Sequence, residues 1–104
     1  MLVKMGVYPR RLKREIRRAL GPIDRVYKAV AGHEAVLTSC DEGNHSPGSL
    51  HYAGQAVDVA LPGSHGMTSK ASSVDVVSAL RKELGPDYDI VLEQTHIHVE
   101  YDPK

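Results

Sequence analysis

Two short alternating runs constrain this chain more than anything else in it. Successive side chains of an extended strand point to opposite faces, so in residues 55–61 Val57, Val59 and Leu61 share one face while Ala56, Asp58 and Ala60 share the other. In residues 96–101 the same parity sets Ile97, Val99 and Tyr101 against His96, His98 and Glu100. Each run is therefore a strand with an apolar side for a core and a polar side that carries an aspartate or two histidines. The small Ala56 and Ala60 beside Asp58 leave room for an ion and a substrate.

His51 extends this polar set. It stands seven positions before Asp58, an odd separation that would put the two on opposite faces of one continuous strand, so the chain must turn between them if both reach one ion. Gly54 is placed to allow that turn. Two neutral imidazoles and a carboxylate fill three tetrahedral positions and leave the fourth for water, which is the pattern of a hydrolytic zinc site and not of a closed structural one. His33 and His65 read as ordinary surface or hydrogen-bonded histidines. Asp41 and Glu42 are too few for a calcium ion, which takes six or more oxygens, and Cys40 reads as a packed residue at a strand end.

The run HSPGSLHYAGQAVDV over residues 45–59, with EQTHIHVEY over residues 93–101, resembles the zinc-peptidase superfamily that holds D-alanyl-D-alanine carboxypeptidases, phage and bacterial L-alanyl-D-glutamate endopeptidases and the hedgehog signalling domain. Its pattern SxHxxGxAxD is met by Ser49, His51, Gly54, Ala56 and Asp58. The resemblance implies zinc held by His51, Asp58 and His98. It also implies that His45 and His96 stand beside the metal, as oxyanion donors or as groups that orient a ligand. Peptidases of this group commonly carry an acid three positions before the last ligand, and here that position is Thr95. Glu93, five positions before His98, is then the nearest carboxylate for the role of general base.

The implied reaction is metal-assisted hydrolysis of a peptidoglycan stem peptide at a D-amino-acid bond, by a phage or bacterial cell-wall enzyme. Gln55 stands where hedgehog has an arginine, and no arginine lies near the motifs, which favours an endopeptidase over a carboxypeptidase. The alternative is a zinc-bearing binding module of weak catalytic power, because hedgehog domains resemble peptidases yet signal by protein contact. The implied fold is α+β, a small antiparallel sheet with helices packed on it and a zinc cleft.

With 104 residues the chain fits one domain, divided into a basic helical part over residues 1–31 and a metal-binding core over residues 34–104. Phe and Trp are absent, so a core of Val, Leu, Ile, Ala and Tyr is modest, and metal binding is expected to add stability. Net charge is zero but lopsided. Residues 1–28 hold nine basic side chains against Glu15 and Asp24, a net +7 that the remainder balances. This excess either meets an anionic polymer or membrane surface, or is a solvated helix face whose arginines pair with the acidic half. No run is apolar for long enough to span a membrane. No signal peptide is apparent, an expectation that fits a cytoplasmic protein awaiting release or a virion component.

The remaining elements follow from their stop signals. A helix is predicted from near Pro9 to Gly21-Pro22, with an apolar edge of Leu12, Ile16 and Leu20, and a second from Pro22 to Ala31 ending at Gly32. A strand is predicted over residues 34–39, loops over 41–50 and 62–71, and a helix over 72–84 capped by Ser72 and stopped at Gly85-Pro86. Residues 88–92 and 96–101 are predicted to pair as a hairpin across Glu93-Gln94-Thr95.

Overall fold

A computed structural model describes residues 1–7, 12–40 and 55–103. Their elements run in the order β1 (Leu2–Val3), α1 (Arg14–Val26), a π-helical turn (Tyr27–Ala31), β2 (Val36–Ser39), β3 (Ala56–Ala60), α2 (Ser73–Leu84), β4 (Tyr88–Leu92) and β5 (His96–Tyr101). The five strands form one sheet in the order β1-β2-β3-β5-β4. This is a small α+β domain.

The sheet is mixed where an antiparallel one was expected. β1 pairs in parallel with β2, through Leu2 with Val36 and Val3 with Leu37, while β2–β3, β3–β5 and β5–β4 are antiparallel. The first residues of the basic segment thus enter the same sheet as the polar strands.

Both helices cover one face. Ile16, Ala19, Ile23 and Val26 of α1 and Val76, Val77 and Leu80 of α2 are buried, and they join Val57, Val59, Ile97 and Val99 of the central strands in a single cluster. The parity of β3 and β5 then turns Asp58, His96, His98 and Glu100 to the opposite face. Tyr88 ties the edge of the sheet to the helical layer, its hydroxyl donating to the Glu15 carbonyl at 2.6 Å.

Helix α1 corrects the expected break at Gly21-Pro22. It starts at Arg14 and runs through both residues to Val26 before passing into the π turn. Pro22 lacks the N–H that would bond back one turn, which costs about 3 kcal/mol in a helix interior. Ile23 and Val26, buried just beyond it, each return about 1.5–3 kcal/mol. The apolar edge also differs, since Ala19 is buried where Leu20 is only partly so. Both readings end the helical segment at Gly32, whose φ of 84° is the left-handed conformation that glycine adopts without strain.

Helix α2 begins as its sequence dictates: the Ser72 hydroxyl accepts from the Asp75 backbone N–H at 3.2 Å. The loop of residues 62–71 is pinned at both ends. Gly63 N–H donates to His33 Nε2 at 3.0 Å and Lys70 N–H to the Ala31 carbonyl at 2.8 Å. His33 is thereby an ordinary hydrogen-bonded histidine, and Cys40 is buried just after β2.

Candidate metal centre

β3 and β5 set the site by register. Asp58 pairs with His98, Ala60 with His96 and Ala56 with Glu100. Asp58 therefore faces His98 directly, and the two alanines keep the positions beside it small. Asp58 is 9% exposed, the one buried charged side chain among the described residues. A carboxylate so withdrawn from water persists only where polar or cationic groups replace the lost hydration.

Imidazoles supply that replacement. His98 Nδ1 lies 3.0 Å from Asp58 Oδ1, and His96 Nε2 lies 3.5 Å from the same oxygen. Two ligands of a tetrahedral zinc with bonds of about 2.0–2.2 Å stand about 3.3–3.5 Å apart. The His96–Asp58 spacing matches this and the His98–Asp58 contact, at hydrogen-bond distance, is shorter, while the nitrogen and oxygen donors are of the kinds zinc takes. By donor type alone these residues suit zinc.

The outer nitrogens are held as well. His98 Nε2 contacts Glu100 Oε1 at 2.8 Å, and Thr95 Oγ1 contacts His96 Nδ1 at 3.0 Å. The Asp58 carboxylate raises the His98 pKa above the ordinary histidine value; burial pulls against it, and Glu100 adds to the rise.

Of the residues named from sequence, Asp58, His96 and His98 come together here. His51 and His45 lie outside the described residues, as do Ser49 and Gly54 of the motif and the acidic pair Asp41 and Glu42. Glu93 is exposed at the start of the β4–β5 turn, and its N–H donates to the His96 carbonyl at 2.9 Å. That bond stands it across from His96, one step beyond the Leu92–Ile97 pair, so the hairpin register carries it toward the polar face. Its side chain makes no hydrogen bond or ion pair among the described residues. Thr95, at the commoner acid position, touches His96.

Glu100 is the site residue that the sequence reading missed. Its parity with His98 was the available signal. A second group of possible ligands adjoins it: Asp89, Glu100 and Asp102 offer oxygens all within 4.8 Å of one another and could hold a metal. Exposed acids often lie so without an ion, and an all-oxygen set suits a harder cation than zinc.

Among the described residues the basic segment is a largely solvated face. Lys13, Arg14, Arg17 and Arg18 are exposed, and Arg25–Glu83 at 3.7 Å is the one ion pair from α1 to the acidic half among the described residues. Arg14 pairs locally with Glu15 and Lys28 with Asp24. No helix among the described residues is long and apolar enough to cross a membrane. No family model matches this chain, and no curated protein or solved structure matches it at a significant level.

Proposed function

We propose that this chain is a zinc-dependent peptidase of the hedgehog/DD-peptidase-like fold that hydrolyses D-amino-acid-containing stem peptides of peptidoglycan, as a phage or bacterial cell-wall endopeptidase. The observation that carries the reading is the approach of two imidazoles, His98 at 3.0 Å and His96 at 3.5 Å, to one oxygen of the buried Asp58. His51, Asp58 and His98 would hold the ion. When bound, it supplies Lewis acidity toward a carbonyl and lowers the pKa of a coordinated water.

The chain's own groups divide the remaining work. Glu93, beside the polar face, accepts a proton from the attacking water and returns it to the leaving amine. His96, steadied through Nδ1 by Thr95, presents Nε2 to the charge that develops on the carbonyl oxygen. Ala56 and Ala60 keep the positions flanking Asp58 small, where the substrate backbone would pass.

A catalytically weak zinc-containing binding module is the second reading. The exposure of the Glu93 side chain and the threonine at position 95 favour it. Digestion of purified peptidoglycan by the zinc-loaded chain, with mass analysis of the fragments, separates the two. New amino termini are expected of the peptidase; stoichiometric zinc with intact stem peptides would establish the binding module.

A further inference from the structure

We infer that Glu100 is a positioning residue for the metal centre, fixing the tautomer and ring orientation of His98; this rests on the zinc reading above. A neutral imidazole carries one proton, and a metal must bind at the other nitrogen. In this fold the two nitrogens of His98 have different neighbours. Nε2 is 2.8 Å from Glu100 Oε1, and Nδ1 faces Asp58 Oδ1 at 3.0 Å. Both carboxylates accept only, so in the metal-free protein each faces a ring N–H; when an ion takes the Nδ1 side, where Asp58 and His96 Nε2 gather, Glu100 holds the remaining proton on Nε2.

The strand supplies this arrangement at no cost in backbone distortion. Residues two apart on β5 share a face, so a side chain of glutamate's length reaches back to the ring of His98. Across the sheet Glu100 faces Ala56, too small to obstruct it, and on the other side Asp89. The carboxylate is 21% exposed and the imidazole 18%, so their contact is shielded from most competing water. Two carboxylates, Asp58 and Glu100, also balance the charge of a divalent ion between them. Thr95 makes the corresponding contact to His96, but a hydroxyl both donates and accepts, and it fixes no tautomer.

The test uses the full chain, stripped of metal and titrated with zinc against a chromophoric chelator, alongside ring-nitrogen NMR of the histidine-labelled protein. Glu100→Ala is expected to weaken zinc binding about 10- to 100-fold, the usual cost of losing such a partner. In the zinc-loaded protein the His98 ring should move from a single Nε2-protonated form to a mixture. Glu100→Gln keeps the side chain's length and an acceptor oxygen but not the charge, and should lose less affinity than the alanine variant; it also carries the test if that variant fails to fold. A wild-type chain that takes up no zinc overturns the metal reading and this role together. Wild-type zinc binding with unchanged affinity and unchanged ring signals in both variants overturns the role of Glu100 alone.

Discussion

His98 Nδ1 lies 3.0 Å from Asp58 Oδ1, across forty residues of sequence and one rung of the β3–β5 ladder. The antiparallel register makes the two residues direct partners, and the neighbouring rungs bring His96 and Glu100 to either side. A one-residue slip of either strand would turn that strand's polar side chains into the helical layer, so the hydrophobic face that locks the register also assembles the site.

Removal of either member of this pair should remove the metal. His98→Ala and Asp58→Ala are each expected to abolish stoichiometric zinc at neutral pH, measured on dialysed protein. His96→Ala should lower turnover more than affinity, because it takes away a group beside the ion. Equal loss of zinc in the His96 and His98 variants would make His96 a ligand.

The His98 pKa sets a pH dependence with opposite signs for the two forms of the protein. Asp58, and against the pull of burial also Glu100, raises it above the unfolded value. In metal-free protein the contribution is fully present below the unfolded pKa and fades as pH rises through the folded one. Zinc must displace that proton, so its stabilisation should grow over the same interval. Denaturant unfolding with chelator and with excess zinc, from about pH 5 to about pH 8, reads both slopes in the range where histidine titrates.

Much of this was legible because period-two patterns are strict. Residues 96–101 form β5 as their alternation requires, residues 88–92 pair with them as the expected hairpin, and Ser72 caps α2. β1 was hidden because Leu2–Val3 is too short to display any period. The run of α1 through Pro22 was hidden for another reason: a local stop signal was outweighed by the burial of Ile23 and Val26, a tertiary effect. Parity put Glu100 on the polar face, but alternation carries no sign that a side chain bends back two residues along its own strand to reach His98.

The base is tested by Glu93→Gln. It preserves shape and should retain zinc while losing roughly 100-fold or more in turnover. Full activity would remove Glu93 from the chemistry, and Thr95→Asp, beside His96, would then be the variant expected to raise the rate.

Asp24 anchors the end of α1 to the sheet, accepting from the Ala35 N–H at 3.0 Å and pairing with Lys28 at 3.0 Å. Burial pushes its pKa up, but the Ala35 bond, Lys28 and the Met1 ammonium outweigh it and the carboxyl stands below its ordinary value. That stability is present above the unfolded pKa and is lost as pH falls through the folded one. Asp24→Ala should cost about 1–3 kcal/mol at neutral pH, with the difference from wild type shrinking in acid. A constant difference across the acid range would remove the charge from the account.

The exposed arginines of α1 project from the helical layer, on the side of the sheet away from Asp58 and His98, which makes electrostatic attachment separable from hydrolysis. Binding to an anionic wall polymer should fall steeply with salt, because exposed charges are screened within about 10 Å at about 0.1 M. Changing Arg14 and Arg17 to glutamine should weaken that binding and flatten its salt dependence, while zinc affinity and cleavage of a short soluble stem peptide stay near wild type. Sedimentation with purified walls, run beside the peptide assay from low to moderate salt, measures both. If attachment ignores salt and both substitutions, the basic face is only the solvated side of a packed helix, and the polar face of β3 and β5 carries the function without it.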